Sequence, residues 1–352
     1  MTGLSTNALY LQQVAKTAQL SLPWEAFQDK SILISGGTGM IGSYLIDVLM
    51  EKNKDGLNCR ILALGRSPER AGGRFPHHWD DPNFTFLECD INAGLPVGLP
   101  RADYVLHAAS NTHPVAYATE PISTITTNVI GTDHLLRYAS KVGAQRVVFA
   151  STVEVYGENR GDAAKFDEDY CGYINCNTLR AGYPESKRVG EALCQAYIKE
   201  KGLDVVIARL ARIYGPTMLM SDTKALSQFI KKGIAREDIV LKSAGNQFFS
   251  YCYVADAVYA LLLLFAKGAC GAAYNISDEA SDITLKDLAQ TIAEHAGTKV
   301  VFEIPDAVES AGYSKATLAI MDSARLQQLG WKPVYDIHTG LAQTIQILST
   351  GF

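Results

Sequence analysis

Ser31-Ile-Leu-Ile-Ser-Gly-Gly-Thr-Gly-Met-Ile-Gly42 is the stretch that decides the fold. Its first five residues read as a short apolar strand, and Ile41, Leu45, Ile46 and Leu49 recur on one face of a helix over residues 39–53. Between the two, Gly36, Gly39 and Gly42 form a Gly-x-x-Gly-x-x-Gly turn. Glycine permits the tight turn and lets backbone N–H groups, those of Met40 and Ile41 included, approach a pyrophosphate at the positive end of the helix. Such a pattern is weak alone, but between a strand and an amphipathic helix it predicts a dinucleotide site.

Outward from this turn, apolar strands alternate with helical segments. Strands are expected at Arg60–Leu64, Phe84–Glu88, Tyr104–His107, Arg146–Ala150 and Val205–Arg209, and helices near 120–141 and 184–201. This alternation implies an α/β fold, a Rossmann-type doubly wound parallel sheet. After Gly215-Pro216 the pattern loosens, with helices near 222–235 and 284–296 and short strands between and after them. The expected organisation is an N-terminal helical extension (1–30), a nucleotide-binding domain (31–215) and a smaller substrate-binding lobe (216–352) interleaved with the last sheet strands. The extension carries Leu11, Val14, Ala15 and Ala18 at helical spacing, followed by Pro23, Trp24 and Phe27, and no recognisable chemistry.

The 352 residues are 47% hydrophobic and 20% charged with a net charge of -5, and no basic stripe appears, which argues against a nucleic-acid partner. The longest apolar run, Ala257–Ala266, is too short for a bilayer and reads as a buried helix. No secretory signal is visible, and seven scattered cysteines fit a reduced, cytoplasmic protein. Cys171 and Cys176 match no common zinc spacing, so no metal is expected.

The second strand commonly ends in a carboxylate that holds the adenosine ribose; here Gly65 stands there with Arg66 next. Arg66 reads either as a receptor for a 2′-phosphate, favouring NADP, or as a solvated turn residue. Asp90, with Ile91 beside it, suits the adenine end, and His107-Ala-Ala109 lets the cofactor pass closely, with Ser110 following on the substrate side.

Tyr183-Pro-Glu-Ser-Lys187 puts a phenol and an ammonium on one helix face. A lysine beside a tyrosine lowers the phenol pKa toward neutrality, making Tyr183 a base for a sugar hydroxyl as hydride leaves the same carbon. In Ala150-Ser-Thr-Val-Glu-Val-Tyr-Gly157, Thr152 can hydrogen-bond that hydroxyl and Glu154 faces the substrate.

With these motifs the chain resembles the NAD-dependent epimerase/dehydratase family of extended short-chain dehydrogenases over residues 30–345. Ser151-Thr-Val-Glu-Val-Tyr-Gly157, Glu168-Asp-Tyr170 and Leu179-Arg-Ala-Gly-Tyr-Pro-Glu-Ser-Lys-Arg188 are similar to the signatures of UDP-glucuronate decarboxylases. The resemblance implies NAD as cofactor, with NADP left open by Gly65-Arg66, and a sugar nucleotide as substrate. It also implies Thr152, Tyr183 and Lys187 as catalytic triad, Glu154 assisting at the sugar ring and Arg180 near the substrate. Oxidation at the sugar C4 is followed by decarboxylation if a C5 carboxylate is present, or by 4-epimerisation. A 4,6-dehydratase ranks lower, because Val153-Glu154 lacks that class's acid, and a non-catalytic binding protein lower still. Two departures stand out: Arg212 replaces an asparagine before Tyr214-Gly-Pro216, and Phe249 stands where an arginine contacts nucleotide phosphates. Either Arg212 supplies that charge from across the site, or Phe249 is a packing residue and the donor is smaller than a nucleotide diphosphate. The family's four-helix dimer implies a homodimer through helices 120–141 and 184–201. Ile122, Ile125, Val129 and Leu136 on the first and Val189, Leu193 and Tyr197 on the second are the apolar candidates, each of which could serve the subunit's own core instead, with Ala192 and Ala196 as a second, small-residue face.

Overall fold

Strands covered on both faces carry apolar residues without interruption, and successive side chains enter opposite layers. Ile32-Leu-Ile34 shows both features: Ile32 and Ile34 enter one core, Leu33 the other, and all three are fully buried. The computed structural model describes residues 3–112, 117, 119–303 and 317–350. Its strands are β1 (Ser31–Ser35), β2 (Arg60–Gly65), β3 (Phe84–Glu88), β4 (Tyr104–His107), β5 (Arg146–Thr152), β6 (Val205–Leu210), β7 (Arg212–Tyr214), β8 (Ile239–Leu241), β9 (Phe248–Tyr253), β10 (Ala273–Ile276), β11 (Asp278–Thr284), β12 (Val300–Phe302) and β13 (Leu318–Ala319). Its helices are α1 (Ala8–Ala18), α2 (Met40–Asn53), α3 (Pro68–Arg74), α4 (Pro121–Val142), α5 (Gly182–Lys201), α6 (Ala225–Ile234), α7 (Val254–Lys267), α8 (Leu285–Ala296), α9 (Ala324–Gln327) and α10 (Ile337–Ser349).

The main sheet has seven strands in the order β10-β6-β5-β4-β1-β2-β3, all pairs parallel. Chain direction across the sheet reverses between β1 and β4, the switch point where such folds bind ligands at the strand ends. Both the glycine turn after β1 and His107-Ala-Ala109 after β4 lie there. Helices α2 and α7 contribute to the core on one face of the sheet, α4 and α5 to that on the other. Helix α7 is buried nearly all round, as the run Ala257–Ala266 anticipated, and no helix among the described residues is long and apolar enough to cross a membrane. The edge strand β10 comes from the C-terminal third of the chain. Beyond it, β9 pairs with β11, β13 and β7 in a second small sheet.

Three expectations are corrected. Leu11 is exposed; α1 buries Tyr10, Gln13, Val14, Thr17 and Ala18, because the Tyr10 hydroxyl bonds Asp47 and Gln13 accepts from the Tyr253 hydroxyl at 2.8 Å. Residues 337–349, in the part of the lobe where only short strands were expected, form a helix capped by Asp336, whose carboxylate accepts the Thr339 N–H at 2.8 Å. Leu136 is buried in its own subunit, and Leu193 and Tyr197 pack against that same core, the Tyr197 hydroxyl reaching Asp133 at 2.6 Å. The apolar face left open on α4 and α5 is therefore Ile122, Ile125, Val189, Ala192 and Ala196.

Candidate active site

The turn after β1 has room for backbone only. Gly36 adopts a φ of +74°, and a Cβ there would stand 2.9 Å from the Ala108 carbonyl oxygen. One at Gly42 would stand 2.4 Å from the Gly36 carbonyl oxygen. Gly39 caps α2 without a side chain, leaving the first-turn N–H groups of Met40, Ile41 and Gly42 at the helix end. The Thr217 hydroxyl pins the Met40 carbonyl at 2.9 Å. This backbone-lined cradle at a helix N-terminus fits a dinucleotide pyrophosphate.

At the adenosine side, a Cβ on Gly65 would lie 3.0 Å from the Phe86 ring, so packing keeps a carboxylate out of that position. Arg66 is exposed, and Arg70 beside it has its pKa lowered, first by burial and then by Arg66. Asp90 is exposed and accepts the Asn92 N–H at 3.0 Å. The Ile91 side chain is buried against Gly131, which leaves only its backbone for a cofactor. The His107 ring is likewise turned inward, between the Ser35 hydroxyl and the Thr132 hydroxyl, both at 2.9 Å. Burial, with Lys187 second, pushes its pKa down to about 3, so the ring is neutral and structural. Ala108 and Ala109 donate their N–H groups to the Ser35 hydroxyl at 3.1 and 3.2 Å, which shapes the passage above β4.

Strand β5 ends at Thr152, and α5 begins one residue before Tyr183. Tyr183 is buried, with Thr152 and Tyr117 among the groups that act on its phenol. Lys187, one helical turn on, donates to the Ala150 carbonyl at 2.8 Å. The residues read as a triad therefore converge. Burial pushes the Tyr183 phenol above its ordinary pKa, with Thr152 opposing. Burial also lowers Lys187 to about 8. Its ammonium is held by a backbone carbonyl rather than by the phenol, so desolvation dominates both groups. Asn128, unnoticed in the sequence, is fully buried and ties the site together. It accepts from the Ser110 hydroxyl at 2.7 Å and donates to the Ser186 hydroxyl at 2.9 Å. Its signal was legible: Thr124, Asn128 and Thr132 are polar at helical spacing on the buried face of α4.

On the substrate side, Arg180 Nη2 donates to both Glu154 oxygens at 2.8 Å, closing the carboxylate that had been expected to face the sugar freely. The Tyr117 ring stacks on Tyr183 with centroids 4.8 Å apart and lies 5.0 Å from the Arg180 guanidinium carbon. No periodicity marks Tyr117 in the sequence. Val153 is buried, so the loop presents no acid before Glu154. Arg212 lies 3.6 Å over the Phe249 ring.

The chain matches known proteins in sequence and in fold. The model of the NAD dependent epimerase/dehydratase family matches residues 32–277. The chain is 33% identical to UDP-glucuronic acid decarboxylase 1 of Danio rerio over 91% of its own length and 73% of the relative's. To UDP-glucuronic acid decarboxylase 3 of Arabidopsis thaliana it is also 33% identical, over 88% and 86%. The structure of a Bacillus cereus UDP-glucuronic acid 4-epimerase, solved with UDP-glucuronic acid and NAD, shares the fold with a TM-score of 0.77. That match covers 92% of this chain and all of that one at 20% identity.

Proposed function

The chain belongs to the NAD dependent epimerase/dehydratase family, and from that premise we propose that it is a UDP-glucuronate decarboxylase. The observation that carries this reading is the convergence of Thr152, Tyr183 and Lys187 beside the Glu154–Arg180 pair, in a chain 33% identical to named UDP-glucuronic acid decarboxylases over most of its length.

Bound across the Gly36–Gly42 turn, a nicotinamide dinucleotide supplies reversible hydride acceptance. Thr152 holds the sugar C4 hydroxyl and Tyr183 takes its proton as that carbon is oxidised to a ketone. Lys187 lies behind Tyr183 and is placed to support the phenolate once ligand reorganises the pair. A C5 carboxylate is then β to a ketone, and the C5–C6 bond breaks with loss of carbon dioxide, leaving its electron pair in an enolate. Protonation at C5 by a proton from solvent and reduction of the C4 ketone, with Tyr183 giving its proton back to the C4 oxygen, would complete a reaction without net redox change. Glu154 and Arg180 flank the ring. NAD is the cofactor this reading takes; the Arg66–Arg70 corner supports use of NADP as well.

The open face of Ile122, Ile125, Val189, Ala192 and Ala196 supports a two-fold homodimer through α4 and α5. Seven unpaired cysteines support a cytoplasmic location. A boundary near residue 215 between nucleotide-binding and substrate-binding parts completes the reading.

The test is a screen of UDP-sugars, uronates included, with products read by mass. Conversion of UDP-glucuronate to a UDP-pentose is expected. Unchanged mass with inverted C4 stereochemistry would make the protein an epimerase instead.

A further inference from the structure

Arg212 is a half-buried cation held in the cleft without an ion-pair partner of its own among the described residues. Its Nη1 is shut off from solvent without a hydrogen-bond partner, and the residue enters no ion pair among the described residues. Its electrostatic neighbours are Tyr251, Glu154 and Arg180. Both Glu154 oxygens are taken by Arg180 Nη2, and Arg180 Nη1 is itself buried and unpartnered. Two guanidinium groups thus share one carboxylate, which leaves one positive charge in excess and two buried donors unused. Burial pushes the Arg212 pKa down; Tyr251 and Glu154 pull against it, and Arg180 adds to the fall. A half-buried charge with one donor shut off from solvent and unpartnered costs the fold stability, and a leucine or methionine would pack the position without that cost.

We propose that Arg212, laid on the Phe249 ring and flanked by Arg180, is the receptor for an oxyanion of the substrate. The proposal rests on reading the cleft as a sugar-nucleotide site. Parallel pairing of β7 with β9 brings Arg212 opposite Tyr251, two residues from Phe249. The aromatic face fixes the guanidinium plane, and Arg can then present its N–H groups as a fork to a carboxylate or phosphate. A sugar nucleotide has two such groups to offer, the carboxylate of a uronate and the diphosphate.

The deciding experiment is calorimetric titration of the NAD-loaded protein with UDP, UDP-glucose and UDP-glucuronate, comparing wild type with Arg212→Gln and Arg212→Lys. A loss of roughly 10- to 100-fold in Arg212→Gln is expected. Loss for UDP-glucuronate alone assigns the carboxylate, and equal loss for all three ligands assigns the diphosphate. Arg212→Lys, which keeps charge but not the fork, should recover part of the affinity. Affinities for all three ligands within about twofold of wild type in Arg212→Gln would overturn the proposal. If wild type binds none of the three, the sugar-nucleotide reading falls, and pyrophosphate and free glucuronate decide the anion site separately. Either anion should then raise the Tm of wild type and not of Arg212→Gln; no rise, or an equal rise in both, overturns it.

Discussion

Arg209 in β6 of the main sheet and Arg212 in β7 of the second stand three residues apart in the chain, yet their surroundings differ in kind. Arg209 is held by both oxygens of Glu191, at 3.0 and 2.7 Å, and also donates to the Tyr156 hydroxyl and the Glu168 carbonyl. Ser151 adds a hydroxyl to Glu191 at 2.5 Å. Burial disfavours the Arg209 charge, but Glu191 more than offsets this and the pKa is raised. The cavity there, about 470 Å³, is lined by further charges that are also matched: Arg188 by two backbone carbonyls and Arg325 by Glu168 and Asp169. Arg212, by contrast, faces a ring and an occupied carboxylate. A region whose charges are complete serves the fold, and one whose charges are incomplete awaits a ligand.

That contrast is open to attack. Tyr183→Phe should leave Tm and retained nicotinamide unchanged while turnover falls on the order of 10²- to 10⁴-fold, as loss of acid–base catalysis does. Near-normal turnover in steady-state assays would break the cleft half of the comparison. Glu191→Gln strands a buried guanidinium and should cost roughly 3–5 kcal/mol in urea unfolding with two-state behaviour. A cost below about 1 kcal/mol would place this pair with surface ion pairs.

Sequence and structure agree where the chemistry is local. The turn Gly36–Gly42, the strand end at Thr152 and the pair Tyr183 and Lys187 were all legible, because each is a short pattern tied to one element. The final helix carried a signal too: Asp336 as cap, then Ile337, Leu341 and Ile345 at helical spacing. Tyr117 could not be read, since its stacking on Tyr183 is made across 66 residues of chain. The bidentate closure of Glu154 by Arg180 is a tertiary event of the same kind. The Tyr183–Lys187 spacing shows which face the side chains occupy and not how dry that face is.

Lys187 offers a pH test of that dryness. Its folded pKa, about 8, lies below the unfolded value near 10.5, so between these pH values the unfolded chain binds more protons and stability rises with pH. Relative to Lys187→Met, wild type should gain up to roughly 3 kcal/mol across this window, measured by unfolding at each pH. A flat difference would mean that the ammonium is well solvated.

Smaller effects sharpen the contrast between the two arginines. Arg212→Met removes a charge that has no partner, so stability should hold or rise by about 1 kcal/mol, opposite in sign to Glu191→Gln. Thermal unfolding of the two variants side by side checks the sign. At the exposed adenosine corner, Arg66→Ala should weaken NADP by roughly twofold to fivefold and leave NAD unaffected, since solvent screens that contact. Fluorescence titration with both dinucleotides would show equal, unchanged affinities if Arg66 is only a surface residue.

The central claim is that C4 oxidation in this cleft releases the sugar carboxylate. UDP-glucuronate labelled with carbon-13 at C6, given to the NAD-loaded protein in a sealed vessel, tests it most directly. The account predicts labelled carbon dioxide in the headspace, equal in amount to the UDP-pentose formed and suppressed in Tyr183→Phe. Label retained on a UDP-hexuronate, whether unchanged or epimerised at C4, would contradict it.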